Sequence, residues 1–221
     1  MSADVNGNVG DVRLLRSDLP AEPLALFEQW FADAASGDEP EAMTLATLDD
    51  DGMPDVRTVL LRGLELRPGR EGFVFYTNYA SAKGRGLALH PACALLFYWG
   101  DLGGKSRFGG RQVRVRGLAE RVPEATSDAY FAARPRLSQL GAWASPQSEV
   151  VTEAALEAEV AQVSARFAGQ PVPRPPHWGG FVVVAQSIEF WQGRPGRLHD
   201  RFRYVRDPRV AGGWRIERLA P

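Results

Sequence analysis

Apolar residues at Leu24, Phe27, Trp30, Phe31 and Ala34 recur at helical spacing, which predicts an amphipathic helix packed on a core and closed by Gly37. The pattern then changes period. Ala42–Leu48 and Val56–Leu61 read as strands around an Asp-rich turn whose Asp51-Gly52 pair signals a hairpin, and Phe73–Thr77 reads as a third strand. Ser81 is placed to cap a short helix, Ala82–Leu89, that ends before Pro91. Ala92–Trp99 is nearly all apolar and predicts a buried central strand with Cys93 in the core. Arg111–Val122 alternates, with Val113 and Val115 on one face and Gln112, Arg114 and Arg116 on the other.

Pro123 suits the first position of a helix over Glu124–Ala133, halted by Pro135. Leu156, Val160, Val163 and Phe167 mark another amphipathic helix. The Pro-rich stretch 170–176 is expected to be extended and to lead into the last strands, Gly180–Gln192, Leu198–Arg206 and Trp214–Leu219. Many strands with turn chemistry, interrupted by irregularly placed helices, predict a mainly β fold: an antiparallel barrel with helices packed outside it. Residues 18–221 form one domain on this reading, preceded by a flexible arm over 1–17 that holds Arg13 and Arg16.

Composition narrows the chemistry. The 26 basic and 27 acidic side chains give a net charge of -1, so no global field favours nucleic acid or an anionic membrane, and any bound anion needs a local cluster. The single cysteine excludes an internal disulfide, and His90, His177 and His199 are too dispersed for a zinc or non-haem iron site. No basic start with an apolar run and no membrane-length apolar segment is present, so a cytoplasmic location is expected. There is no Gly-x-Gly-x-x-Gly after a strand and no Gly-x-Ser-x-Gly elbow.

Three places carry candidate chemistry, each with an ordinary alternative. Lys83 lies in the first turn of its helix, where it either serves a bound anion or is a solvated surface lysine. Tyr130 and Arg134, four apart, share a helix face and form either an anion cradle or a favourable helix end. The segment Glu189–Arg201 folds back at Gly193, Pro195 and Gly196, gathering Trp191, Arg197, His199 and Arg201. If Leu198–Arg206 is a strand, Arg197 and His199 share one face of it. The alternative is a charged surface hairpin. The 100–110 stretch, with five glycines, Lys105 and Arg107, lacks a nucleotide-loop ending and reads as a long hairpin connection.

Further motifs, in order, resemble one family. They are Arg57-Thr58-Val59-Leu60-Leu61, Phe75-Tyr76-Thr77-Asn78, Arg111-Gln112-Val113, Tyr130-Phe131-Ala132-Ala133-Arg134-Pro135-Arg136 and Ser138-Gln139-Leu140-Gly141-Ala142-Trp143. Gln147-Ser148, Trp178-Gly179-Gly180, Glu189-Phe190-Trp191-Gln192-Gly193 and Arg197-Leu198-His199-Asp200-Arg201 complete the series. The chain resembles the pyridoxine (pyridoxamine) 5'-phosphate oxidases from about Asp18 to its end.

The resemblance implies an FMN-binding split barrel working as a homodimer, with the flavin at the subunit interface. It assigns FMN contacts to Arg57, Thr58, Val59, Leu60, Leu61, Arg62, Tyr76, Thr77, Lys83, Gln112, Gln147, Ser148, Trp191 and Arg201. It assigns the substrate phosphate to Arg62, Tyr130, Arg134 and Ser138, and the region near the substrate ring to Arg197, Leu198 and His199. Arg197 and His199 are the implied catalytic pair. The implied reaction converts pyridoxine or pyridoxamine 5'-phosphate to pyridoxal 5'-phosphate, with dioxygen as acceptor and hydrogen peroxide released. A phenazine-pathway flavin oxidase and a non-catalytic binder of FMN or pyridoxal phosphate are the rival readings. The chain departs from the family pattern at Arg62, usually lysine, at Ala82, often basic, in the long glycine-rich connection, and in an arm without the usual tyrosine.

Overall fold

The computed structural model describes residues 13–35, 37–100 and 110–221. Most of the expected arm and the glycine-rich connection with Lys105 and Arg107 lie outside the described residues.

Helix α1, Pro23–Ala34, starts with proline at its first turn and buries Leu24, Phe27, Trp30 and Ala34, the face that the spacing predicts. Phe27 meets Phe73 edge-on at 4.9 Å and Phe97 at 5.0 Å, and Trp30 meets Phe190 at 5.3 Å. Each fully buried ring of this kind contributes about 1.5–3 kcal/mol through removal of apolar area from water. The cluster closes the concave side of a nine-stranded antiparallel sheet.

The strands are β1 (Ala42–Leu48), β2 (Pro54–Leu60), β3 (Gly63–Glu65), β4 (Gly72–Asn78), β5 (Ala92–Trp99), β6 (Arg111–Arg121), β7 (Trp178–Gln192), β8 (Asp200–Arg206) and β9 (Trp214–Leu219). Their order is β2-β1-β5-β6-β7-β4-β3, with β8 joining β7 and β9 joining β8. β7 organises the whole. Its first half pairs with β4 from Trp178↔Asn78 to Val184↔Gly72, and its second half pairs with β8 from Ser187↔Val205 to Gln192↔Asp200. On its other edge it runs along all of β6, with a register shift at Arg116/Gly117. The strand therefore changes partner midway, which splits the barrel wall. Gly117 stands at that shift because a Cβ there would lie 2.2 Å from the Val184 carbonyl oxygen.

Among the described residues five α-helices pack around the sheet: α1, α2 (Ala82–Leu89), α3 (Glu124–Ala132), α4 (Arg136–Ala144) and α5 (Glu153–Arg166). The last three enclose a second small core of Phe131, Leu140, Ala144, Val163, Phe167, Val172 and Trp178.

Several expectations need correction. Leu198 and His199 precede β8, and residues 195–197 form a tight turn with Arg197 at φ 61, so strand alternation does not place Arg197 and His199. α4 and the short β3 are absent from the sequence reading; α4 is only nine residues long and follows α3 across Pro135, which masks its period. Pro123 sits just outside α3 as its cap. The apolar stripe of α5 buries Val163 but leaves Leu156 and Val160 exposed. β5 alternates in burial, and Tyr98 is exposed. Within the described part of the arm, Leu14 is buried in the main core and its amide donates to Asp200 Oδ2 at 3.2 Å. That segment is docked.

Candidate active site

Ser81 caps α2 as expected, its hydroxyl accepting from the Gly84 amide at 3.3 Å. The cap places Lys83 in a buried position with its Nζ 3.3 Å from Ser81 Oγ, so the solvated-surface reading of Lys83 is overturned. Burial, reinforced by the nearby Arg57 guanidinium and only partly offset by Asp55, depresses the Lys83 pKa from the ordinary lysine value. Among the described residues no carboxylate lies within ion-pair distance of Lys83. Arg57 reaches from β2 to Thr47 Oγ1 at 2.6 Å and the Leu45 carbonyl at 3.3 Å, and pairs with Asp55. Two cations thus converge at the start of α2. Ser148, in a left-handed conformation at φ 77, closes this corner by accepting from the Ala82 amide at 3.2 Å.

The cleft above them has a volume of about 550 Å³. Thr58, Val59, Leu60 and Arg62 form one wall, and Tyr76, Thr77, Asn78 and Lys83 the floor. Tyr130, Arg134, Pro135, Ser138, Gln147 and Trp178 complete it. Among the described residues three cations and no acid line it, so the cleft suits anions. Leu61 points into the main core instead. Gln147 Oε1 lies 3.4 Å from Thr77 Oγ1, linking the loop after α4 to β4.

Aromatic stacking sets the far wall. The rings of Tyr76 and Tyr130 lie parallel at 3.9 Å, and Tyr76 stacks on Trp178 at 5.5 Å. Gly180 permits this, since a Cβ there would come within 2.8 Å of the Tyr76 ring. The Arg134 guanidinium sits 4.6 Å above Trp178. Its Nη1 is buried with no hydrogen-bond partner among the described residues. Burial lowers the Arg134 pKa, with Tyr130 opposing and Arg62 adding to the shift. A buried, unpaired donor on a charged group is costly unless something fills its geometry. An incoming phosphate oxygen would do so. α4 carries Ser138 into the lining of the same cleft.

The remaining sequence-predicted residues lie elsewhere. Gln112, Trp191 and Arg201 are aligned across β6, β7 and β8, because Trp191 is the register partner of both the others. The His199 ring lies 4.5 Å from that of Trp191. Its Nδ1 accepts from the Arg194 amide at 3.2 Å, an arrangement that leaves Nε2 as the protonated nitrogen of the neutral ring. Arg197 and Leu198 project from the exposed turn. Arg201 is heavily committed within the chain: its Nε and Nη2 donate to Glu189 Oε1 at 2.9 and 2.8 Å, and its Nη1 to the Ala220 carbonyl.

The chain therefore gathers candidate residues in two places, an anion cleft at the Trp178 end of β7 and Trp191 with His199 near the other end, beside the turn that carries Arg197. The sequence reading had given Trp178 no role, although it stands in the Trp-Gly-Gly motif. Its function as a shelf for Arg134 depends on side-chain stacking that spacing does not encode.

A family model described as pyridoxamine 5'-phosphate oxidase matches residues 32–187, and one described as the pyridoxine 5'-phosphate oxidase C-terminal dimerisation region matches residues 178–221. A pyridoxine/pyridoxamine 5'-phosphate oxidase of Burkholderia thailandensis is 51% identical over 222 residues, 99% of this chain and 98% of the relative. One from Burkholderia mallei is 50% identical with the same coverage. Among solved structures, PhzG from Burkholderia lata 383 in complex with tetrahydrophenazine-1-carboxylic acid is similar at a TM-score of 0.81 and 33% identity, covering 96% of this chain and 100% of that one. A pyridoxamine 5'-phosphate oxidase-related, FMN-binding protein from Nostoc punctiforme has a TM-score of 0.68 at 17% identity over 95% of this chain and 100% of that one, a likeness of fold.

Proposed function

The chain belongs to the pyridoxamine 5'-phosphate oxidase family, whose oxidases use FMN, and from that premise we propose that it oxidises pyridoxine or pyridoxamine 5'-phosphate to pyridoxal 5'-phosphate as a homodimer. The observation that carries this reading is the acid-free cleft in which Arg62, Tyr130, Arg134 and Ser138 converge, with Arg134 Nη1 buried and unpaired. A phosphate monoester supplies acceptors with close to two negative charges.

The residues present fit FMN as well. Arg57, Lys83 and Ser148 would hold its phosphate at the start of α2, with Thr58 through Leu61, Arg62, Tyr76, Thr77 and Gln147 around it. Gln112, Trp191 and Arg201 would come from the second chain. When bound, FMN would supply the two-electron chemistry, accepting hydride from the substrate carbon and passing electrons to dioxygen to give hydrogen peroxide; with pyridoxamine 5'-phosphate, water then displaces ammonia from the oxidised carbon. The protein's own work is placement. Arg134, Tyr130, Ser138 and Arg62 anchor the substrate by its phosphate, Arg197 and His199 bear on its ring, and the Trp191 indole walls the site against water. His199 accepts from the Arg194 amide at Nδ1, which leaves its Nε2 to serve the substrate ring.

The likeness to PhzG supports a second reading, a phenazine-type acid as substrate. A single carboxylate leaves more of the cleft's charge unanswered than a phosphate does. The deciding experiment is oxygen uptake by flavin-loaded protein with pyridoxine 5'-phosphate, pyridoxamine 5'-phosphate and unphosphorylated pyridoxine. Uptake with the phosphorylated forms is expected; flavin that fails to bleach anaerobically with either would retire this function.

A further inference from the structure

Of the three cations that line the cleft, Arg62 alone has a carboxylate partner among the described residues: its Nη1 lies 3.6 Å from Glu41 Oε1. The backbones of the two residues are pinned independently of that pair. The Leu61 amide donates to the Glu41 carbonyl at 2.8 Å, and the Arg62 amide donates to the Val74 carbonyl at 2.8 Å. Both side chains are about one-third exposed, 34% and 31%, so the pair sits at the rim and is free to rearrange. Arg62 also lines a second groove of about 610 Å³ with Phe27, Phe31, Pro40, Glu41 and Leu64, and so forms the partition between groove and cleft.

This placement answers an electrostatic problem in the empty cleft. Arg62 and Arg134 are like charges that face the same space, and the buried Nη1 of Arg134 has no hydrogen-bond partner among the described residues. Glu41 draws one of them outward. We propose that Glu41 is a positioning residue that sets the cleft's affinity for phosphate monoesters, holding Arg62 at the rim until an incoming phosphate takes the guanidinium from it. The inference rests on the phosphate reading of the cleft. It gives the carboxylate two effects of one sign: it competes for Arg62, and its own charge repels a dianion at short range. Both weaken phosphate binding, and both favour release of a phosphorylated product.

The test is calorimetric titration of the FMN-loaded protein with pyridoxal 5'-phosphate, with unphosphorylated pyridoxal as control, for wild type, Glu41→Gln, Arg62→Ala and the double variant. Glu41→Gln should tighten pyridoxal 5'-phosphate binding about two- to fivefold, the range that an exposed ion pair supports, and leave pyridoxal binding unchanged. In the Arg62→Ala background the same substitution should have a markedly smaller effect, because the competition has been removed. The exposure of Glu41 makes a folding defect in Glu41→Gln unexpected, and its melting temperature should match wild type. If Glu41→Gln binds pyridoxal 5'-phosphate equally or more weakly, or tightens it equally with and without Arg62, Glu41 has no such role. If wild type itself fails to distinguish pyridoxal 5'-phosphate from pyridoxal, the phosphate reading fails, and this inference with it.

Discussion

Trp178 opens β7 and Trp191 stands one residue before its end, so a single strand carries an indole to each group of candidate residues. At about 3.3 Å per residue the strand path between them is about 40 Å, too far for one small substrate to touch both. Trp178 shelves Arg134, whereas Trp191 lies against His199. The proposed function therefore requires the Trp191 end of a second chain beside the Trp178 end of the first. The match to a C-terminal dimerisation region over residues 178–221 accords with that arrangement.

The split gives a sharp genetic test. Arg134→Ala and Arg197→Ala disable different half-sites, so each homodimer should be nearly inactive. Co-expressed in equal amounts, half of the dimers are mixed, and each mixed dimer holds one intact site and one doubly defective site. Activity should then recover to about a quarter of wild type. No recovery, with mixed dimers verified by tags, would mean that the two groups act within one chain.

A pH dependence follows from Lys83. Its pKa is depressed by burial first and by Arg57 second. As pH rises it loses its proton earlier than an ordinary lysine, and its attraction for the FMN phosphate goes with it. FMN affinity should begin to fall below the ordinary lysine value of 10.5, and binding in that window should take up a proton. Without FMN the sign for stability is the reverse: the unfolded chain holds more protons there, so the flavin-free fold gains stability as pH rises between the depressed value and 10.5. Fluorescence titration of FMN against pH checks the affinity, with Lys83→Met as the control that should lose the alkaline limb, and urea denaturation of the flavin-free protein across the same pH range checks the stability.

Asp200 is fully buried and holds three parts of the chain together. It accepts from the Leu14 amide at 3.2 Å and from Arg218 at 2.9 Å, with Arg194 at 3.6 Å and Arg13 at 4.0 Å. Asp200→Asn keeps the shape and removes the charge. Because Arg13 and Arg218 are half exposed and can rehydrate, the loss should be about 1–3 kcal/mol, below that of a fully buried pair. Urea denaturation should show it, and limited proteolysis should cut near Leu14 sooner than in wild type.

The strands and most helices were legible in the sequence because their signals are local: period, caps, and glycine or proline at the ends. The α1 face, the Ser81 cap and the hairpin ahead of β2 all follow from such signals. The error at Leu198–His199 has a local cause too, since a turn with Arg197 at φ 61 interrupts the alternation from which strands are read.

The chemistry of the candidate residues was likewise written in the chain, as cations, phenols and indoles in a recognisable order. Their distribution between two sites was not. Burial of Lys83 and the stack that carries Arg134 arise from contacts between residues far apart in sequence, and the hold of Glu189 on Arg201 from the pairing of β7 with β8. The amino-acid order determined which groups exist and how each short segment folds. Tertiary packing decided which of them share a cleft, because desolvation and charge depend on neighbours in space and not on neighbours along the chain.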